Sequence, residues 1–256
     1  MTSVLLIDDS THSSELFAAA MRDELGFDVR ALRAPRELDD QFVASNTVDI
    51  AVVDLWFPGE QLTGADALLR LHFDQPHTKL VVLTDIDDWS IDLLRDTWQV
   101  LPLACALSKR TPVGTQLAAL AQVAAVGYAP VDDVLSPLLP QQKSPWRTLD
   151  GFSRLVQHRG HAKMWQALLA CGPAAEYQDL AAHSGLRLNA LRNYRAQLLP
   201  ELSLHGLHNP PMRDLYHFVV RCRPFLAPFV EAKGLTLSVD ESFDGSPDIS
   251  FDDFEL

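Results

Sequence analysis

Five polar residues of the N-terminal half stand where short apolar runs end: Asp8, Asp9, Asp54, Thr84 and Lys109. Three carboxylates at one place repel each other and raise one another's pKa values, and a divalent cation removes this conflict. Mg2+ prefers hard oxygen ligands, usually one or two carboxylates together with water and a phosphoryl group. The set therefore predicts a magnesium site, provided that the fold brings these residues together.

The elements that must position these residues alternate between two hydrophobic periods. Short apolar runs predict strands at residues 4–8, 27–32, 49–55, 79–84 and 103–107. Helical spacing of apolar residues predicts helices at residues 14–25, 62–73, 89–98 and 112–126. Strands that alternate with helices predict an α/β fold with a doubly wound, five-stranded parallel sheet of the flavodoxin-like type. In such sheets the ligands bind beyond the carboxyl ends of the strands, where the five polar residues fall.

This set of residues resembles the receiver domain of two-component response regulators, over about residues 3–128. The resemblance implies that Asp54 is the phosphoacceptor and that Asp8 and Asp9 are the acidic pair of the family. It also implies four Mg2+ ligands, which are Asp8, Asp9, Asp54 and the backbone carbonyl of Trp56. A protein of this family is a regulator, and we do not expect it to be an enzyme.

The resemblance also implies a reaction. The carboxylate of Asp54 attacks the phosphorus of a phosphohistidine on a sensor histidine kinase, and the products are an aspartyl phosphate and a free histidine. Lys109 binds the phosphoryl oxygens as a point charge, and Thr84 donates a hydrogen bond to them. Phosphorylation then biases a two-state equilibrium of the domain.

Two positions depart from the family pattern. The glycine that follows the proline of the phosphoacceptor loop is Gly64, about two residues late, so the loop is longer. Ala106 stands where the family has Tyr or Phe, which leaves Trp56, Phe57 and Trp89 as candidates for a substitute contact. The alternative hypothesis is therefore a DNA-binding regulator whose receiver domain is not phosphorylated and senses a ligand or a partner.

The charge of the chain is distributed unevenly. Residues 1–128 carry 19 acidic and 9 basic side chains, residues 129–235 carry 8 acidic and 12 basic ones, and residues 236–256 carry 7 acidic ones. The middle segment is the only basic one, although the whole chain has a net charge of −13. Such an asymmetry predicts separate functions for the segments and assigns any contact with nucleic acid to the middle one.

The basic segment contains the pattern of a helix-turn-helix at residues 175–199. Leu180 and Ala181 precede Gly185, which permits a tight turn with positive φ, and Leu191 follows at the spacing that locks the second helix against the first. Arginine pairs with guanine and asparagine with adenine in the major groove. The residues predicted to bind double-stranded DNA are Arg187, Asn189, Arg192, Asn193 and Arg195.

The arrangement is similar to the LuxR/FixJ-type output domain of response regulators, and it implies a transcription factor that binds DNA as a homodimer. Two other interpretations of the helical segment stay open: a helical hairpin with a solvated basic face, and an adaptor domain that binds protein. The predicted organisation is a receiver domain at residues 1–128, a linker at 129–148, an all-α helix-turn-helix domain at 149–235 and a flexible acidic tail at 236–256.

Several remaining features concern location and local structure. The sequence has no apolar stretch near the roughly 20 residues that span a bilayer, and we expect a cytoplasmic protein without a membrane partner. Three widely spaced cysteines favour reduced thiols. Pro224 and Pro228 are expected to kink or divide the last helix. His158 and His161 are expected at the surface or facing DNA.

Overall fold

A five-stranded parallel sheet forms the first part of the chain in the computed structural model, which describes residues 1–238. Its strands lie in the order β2-β1-β3-β4-β5, and every pairing is parallel. This is the order of a flavodoxin-like doubly wound sheet, so the predicted fold class is confirmed. The strands are β1 (Ser3–Ile7), β2 (Asp28–Leu32), β3 (Ile50–Val53), β4 (Lys79–Thr84) and β5 (Leu103–Ser108).

Helices cover both faces of the sheet. One face is packed by α1 (Thr11–Leu25) and α5 (Val113–Val126). The other face is packed by α3 (Gly64–Asp74) and α4 (Asp88–Val100). A short fifth helix beside the sheet, α2 (Asp40–Ser45), was not among the predicted elements, because six residues are too few to show a helical periodicity. Its first turn is capped by the side chain of Asp39, which accepts a hydrogen bond from the amide of Phe42.

The core is divided by the sheet, and one half of it continues into the helical part of the chain. Successive side chains of a strand point to opposite faces, so Leu6 packs with α1 and α5, whereas Leu5 packs with α3 and α4. The half of the core on the α3–α4 face also contains Trp165 and Phe225, which belong to helices beyond residue 148. The helical part is therefore packed on the α3–α4 face of the sheet through apolar contacts.

The predicted linker is tied down along most of its length. The amides of Ala129 and Asp132 donate hydrogen bonds to carbonyls of β5, and Leu135 is fully buried. Lys143 and Ser144 then bond to the end of α4. The segment thus covers the free edge of β5 and the side of α4, which leaves less freedom than its four prolines suggest.

The helical part consists of α6 (Leu149–Ser153), α7 (Arg159–Cys171), α8 (Tyr177–Ser184), α9 (Leu188–Leu204) and α10 (Met212–Glu231), together with short 3₁₀ turns. Within residues 149–238 the structure has no strand, as predicted. Helix α10 runs through Pro224 and Pro228 without being divided, and both prolines lie within its span.

The limits of the segments stay predictions, and the acidic tail lies outside the described residues from residue 239 onward. Within residues 1–238, no helix combines the length and the apolar character that a bilayer crossing requires.

Candidate functional site

The predicted acidic residues meet at the carboxyl edge of the sheet. Strands β1 and β3 are parallel neighbours in which Ile7 is level with Val53, so Asp8 and Asp54 leave the sheet side by side. Carboxylate oxygens of Asp8, Asp9 and Asp54 all lie within 4.8 Å of one another. Asp8 and Asp54 are buried and Asp9 is exposed, so the cluster opens to solvent on one side.

Lys109 joins the cluster from the far side of β4. Its Nζ donates to Oδ2 of Asp54 at 2.6 Å and lies 2.9 Å from Oδ2 of Asp8. Its backbone amide donates to the carbonyl of Thr84 at 3.0 Å, which fixes the start of the β5–α5 loop. The other carboxylate oxygen of Asp54 accepts a hydrogen bond from the amide of Leu55 at 2.7 Å. Both carboxylate oxygens of Asp54 thus accept a hydrogen bond, and one of these bonds comes from the Lys109 ammonium.

Burial dominates the electrostatics of Asp54. Desolvation raises the pKa of Asp54 to about 6, although the nearby Lys109 ammonium lowers it, and the Asp8 carboxylate adds a smaller upward shift. Burial alone would lower the pKa of Lys109, but the carboxylates of Asp54 and Asp8 raise it above its usual value. Lys109 therefore stays protonated, and Asp54 is a buried carboxylate that holds its charge at a cost.

The donor set fits Mg2+ and a phosphoryl group. Three carboxylates provide the hard oxygen ligands that Mg2+ prefers. The hydroxyl of Thr84 at the end of β4 is buried and lacks a hydrogen bond of good geometry, although it is close enough to Asp54 to lower the pKa of that carboxyl. A phosphoryl oxygen beside Asp54 would give this hydroxyl a well-placed acceptor. The assignment of the Trp56 carbonyl as a fourth ligand stays a prediction.

The longer loop after Asp54 brings two features that the motif alone did not reveal. The ring of Trp56 makes an edge contact with the ring of Trp89 in the first turn of α4, with 5.8 Å between the centroids. Gly64 begins α3 so close to the backbone of Asp54 that a Cβ there would lie 1.7 Å from the carbonyl oxygen of Asp54. Only glycine fits, so the shifted glycine of the sequence has a steric role.

The site is closed behind Lys109 by the segment that leaves the sheet. Ala106 is fully buried on the α3–α4 face, and its carbonyl accepts from the amide of Asp132. The Asp132 carboxylate also accepts from the hydroxyl of Thr111 and, at 3.4 Å, from the amide of Ser108. Asp132 therefore fixes the loop that carries Lys109. Nothing in the spacing of the sequence marked Asp132 as part of this site.

The predicted helix-turn-helix is present as α8, a three-residue turn and α9. Gly185 ends α8 with φ of +67°, the left-handed conformation that the pattern requires. Leu191 and Leu198 are buried, and α7 packs against both helices. Two helices joined by a three-residue turn and packed on a third helix are the arrangement that the helix-turn-helix pattern predicts.

Four of the five predicted DNA-contacting side chains are exposed on α9 or at its start: Arg187, Asn189, Arg192 and Asn193. Arg195 differs, because its guanidinium donates to the hydroxyl of Tyr177, to Asn209 and to the carbonyl of Pro210. These bonds tie α9 to the start of α8 and to the loop before α10. Its contact with DNA stays a prediction, and the structure favours a role in holding the two helices together.

The expectation for one histidine is wrong. His161 is fully buried rather than exposed. Its ring stacks on that of His158 with 3.8 Å between the centroids, and Tyr194 packs against both. Burial lowers the pKa of His161 to about 4, so this side chain is neutral and belongs to the core beneath α9.

Ion pairs between the sheet part and the helical part were not predicted. Asp96 of α4 is buried and accepts from Arg147 at 3.1 Å and from Arg221 of α10 at 2.6 Å. Arg223 of α10 donates to Asp66 of α3 at 2.5 Å. A charged residue within the apolar stripe of a helix indicates that such a pair exists, but the sequence does not reveal which acidic residue pairs with which arginine.

No family profile matches the sequence, and no curated protein matches it. Solved structures do match. A LuxR-family two-component response regulator from Aurantimonas sp. SI85-9A1 is 19% identical with a TM-score of 0.45, and the match covers 54% of this chain and 94% of that one.

Two further matches are also response regulators. RcsB from Salmonella typhimurium is 14% identical with a TM-score of 0.48, over 85% of this chain and 100% of that one. TrrA from Thermotoga maritima, whose structure is described in complex with Mg2+ and BeF, is 18% identical with a TM-score of 0.40, over 48% and 99% of the two chains. These are likenesses of fold at low sequence identity.

Proposed function

We propose that this protein is a DNA-binding response regulator of a two-component system, controlled by phosphorylation of Asp54. The observation that carries the proposal is the arrangement at the carboxyl edge of the sheet. A buried carboxylate faces a lysine ammonium at 2.6 Å, two further carboxylates lie within 4.8 Å, and the buried hydroxyl of Thr84 stands at the end of the next strand. A nucleophile, a cation for the transferred group and a hydrogen-bond donor are thus assembled in one place.

The residues divide the reaction between them. Asp54 attacks phosphorus while the bond from phosphorus to the histidine nitrogen of the sensor kinase breaks, and the nitrogen keeps the electron pair. Lys109 and Thr84 bind the oxygens of the transferred group, so the ammonium exchanges one carboxylate oxygen for a phosphoryl oxygen. Asp8, Asp9 and Asp54 would hold Mg2+, which would supply positive charge to neutralise the negative charge that develops on the transferred group.

Burial explains why this carboxylate needs those partners. With a pKa of about 6, Asp54 is mostly ionised at neutral pH, yet it is poorly solvated. Phosphorylation replaces it with a group that the Lys109 ammonium and the Thr84 hydroxyl can satisfy. Ala106 stands where the family has an aromatic residue, but it takes no part in the contacts of Asp54 with Lys109 and Thr84. We therefore favour the hypothesis of a phosphorylated receiver domain over that of a non-phosphorylated one.

The test of phosphorylation uses acetyl phosphate and Mg2+ with intact mass as the readout. The wild type is expected to gain one phosphoryl group, and Asp54→Asn is expected to gain none. Asp133→Asn, an exposed aspartate of the linker, is the matched control and should react like the wild type. If the wild type stays unmodified while an established receiver reacts in parallel, the proposal of phosphorylation is wrong.

The DNA-binding part of the proposal is supported by the exposure of α9. Arg187, Asn189, Arg192 and Asn193 remain accessible while α10 is packed on the sheet part. Packing of the two parts therefore does not hide the predicted DNA-contacting surface. We infer that phosphorylation acts on the assembly of two copies rather than by uncovering α9.

A homodimer is supported by an uncharged surface on the acidic receiver part. Residues 111–131 contain no charged side chain. Within and beside α5, Val113 is 48% exposed, Val126 is 59% exposed and Tyr128 is 64% exposed, and Leu16 of the adjacent α1 is 74% exposed. Two copies with excess negative charge repel each other least at such a surface. Sedimentation with and without acetyl phosphate tests it, and a monomer under both conditions would contradict it.

A further inference from the structure

A backbone contact links the phosphoacceptor to the start of α3. The amide of Gly64 donates to the carbonyl of Leu55 at 3.0 Å, and the space for a Cβ on Gly64 is taken by the carbonyl of Asp54. Any displacement of the first turn of α3 therefore moves the backbone of Asp54 as well, because there is no gap between them to absorb the movement.

The same turn of α3 is held by one carboxylate oxygen. Oδ2 of Asp66 accepts from the amide of Thr63 at 2.7 Å and from its hydroxyl at 2.9 Å. This pair caps the helix immediately before Gly64. The position of the turn thus depends on how firmly the Asp66 carboxylate is fixed.

The third donor to that oxygen comes from the helical part of the chain. Nη2 of Arg223 in α10 lies 2.5 Å from Oδ2 of Asp66. The side chains are 7% and 15% exposed, so the pair is shielded from water and from salt, and its geometry is fixed by the packing of α10 on α3. Arg223 interrupts the apolar stripe of α10, where a charge costs free energy unless it is paired.

We propose that Arg223 is a positioning residue for the phosphoacceptor, which it reaches through the Asp66 cap and the backbone of Gly64. This inference rests on the proposed phosphorylation of Asp54. It makes the output part of the chain a component of the reacting site, and it gives the site a connection to α10 that does not use the aromatic residue missing at position 106. By linkage, the equilibrium between unphosphorylated and phosphorylated Asp54 and the packing of α10 affect each other.

The first test measures the rate of phosphorylation of the full chain by acetyl phosphate with Mg2+, followed by intact mass. Arg223→Met removes the charge and keeps a similar apolar stem, and it should lower the rate constant at least about five-fold, because misplacement of a reacting group by about 1 Å can cost about 100-fold in rate. The dependence on acetyl phosphate concentration should not change, since Arg223 does not touch the phosphodonor. Arg223→Lys restores a cation and should recover most of the rate.

The matched control is Arg213→Met, which removes an exposed arginine from the same helix and should react at the wild-type rate. Equal rates for Arg223→Met and the wild type would overturn the inference while leaving phosphorylation intact. A loss of rate that Arg213→Met shares would also overturn it, because a general effect of charge would then be responsible. A wild type that takes no phosphoryl group overturns both the inference and the proposed function.

A second measurement needs no variant of Arg223, so it also decides the case in which Arg223→Met fails to fold. Hydrogen exchange of the wild type is compared with and without acetyl phosphate, and Asp54→Asn serves as the control that cannot react. Phosphorylation is expected to change the exchange of peptides from the first turn of α3 and from α10 around Arg223. Unchanged exchange of α10 in a fully phosphorylated chain would overturn the inference.

Discussion

Replacing Asp54 with its uncharged isostere asparagine should make the metal-free protein more stable at neutral pH. Asp54 and an asparagine at this position have nearly the same shape, so the substitution mainly removes a negative charge. The cost of burying that charge is already reflected in the raised pKa of Asp54, which also includes the opposing attraction of Lys109. The protonated wild type is therefore a good stand-in for Asp54→Asn.

The size of this gain in stability follows from the linkage between folding and the protonation of Asp54. The pKa of Asp54 rises from 3.8 to about 6 on folding, so the folded state binds the proton more tightly than the unfolded state does. The wild type loses stability as the pH rises through this window, and the loss is complete above the folded pKa. One pKa unit corresponds to about 1.4 kcal/mol, which makes Asp54→Asn more stable by about 3 kcal/mol at pH 7.5 and by about 0.5 kcal/mol at pH 4.

Urea unfolding of both proteins in EDTA measures this difference as the shift of the midpoint at equal m-value. Comparing the two proteins at each pH cancels the titration of all other groups. Saturating Mg2+ should then narrow the difference in stability, because an ion bound at the proposed site would stabilise the folded wild type by mass action.

Two results would refute the reasoning. If Asp54→Asn were less stable than the wild type at pH 7.5 without metal, the attraction between Asp54 and Lys109 would outweigh the cost of burial. If the difference were the same at pH 4 and pH 7.5, the charge of Asp54 would not be its cause.

Three further predictions concern other contacts. Gly64→Ala should destabilise the protein by about 2 kcal/mol or more, since the new Cβ meets backbone rather than a movable side chain, and thermal unfolding with phosphorylation rates would check it. Arg192→Ala should weaken binding to a labelled random-sequence DNA duplex and reduce the slope of log affinity against log salt concentration by about 1. The control Arg30→Ala, at an exposed position of β2, should change neither the affinity nor the slope. Equal effects of the two substitutions would refute the assignment of α9 as the DNA-binding helix. Asp96→Asn should lower the free energy of unfolding, measured with urea, by about 2 kcal/mol. This is less than for a fully buried ion pair, because the side chains of Arg147 and Arg221 are 31% and 28% exposed. An unchanged unfolding midpoint would mean that this contact does not stabilise the packing.

The sequence by itself determined the sheet and the reacting set. Runs such as Lys79–Thr84 predicted strands because a strand buried on both faces needs an unbroken apolar run. Once the strands are parallel neighbours, their carboxyl ends must share an edge. Residues as distant along the chain as Asp8, Asp54 and Lys109 therefore had to meet. The turn at Gly185 was equally predictable, because a left-handed residue is a local requirement.

Only the tertiary structure decided which side chains serve packing and which stay free. Arg192 and Arg195 look alike in the sequence. The guanidinium of Arg195 donates hydrogen bonds to Tyr177 and Asn209, whereas that of Arg192 lies 5.6 Å over the ring of Tyr177 and stays exposed. His161 is buried because α9 packs over it. Exposure depends on neighbours that are far away in the chain, and hydrophobic periodicity carries no information about them.

The contacts between the two parts were likewise beyond the sequence. The apolar stripes of α3, α4 and α10 predicted that each helix would be packed, but they did not specify the partner or the relative orientation. The pairing of Arg223 with Asp66 and of Arg221 with Asp96 fixes both. Local propensity and spacing act over a few residues, whereas these pairs join residues that are 157 and 125 positions apart and depend on the three-dimensional packing of the helices.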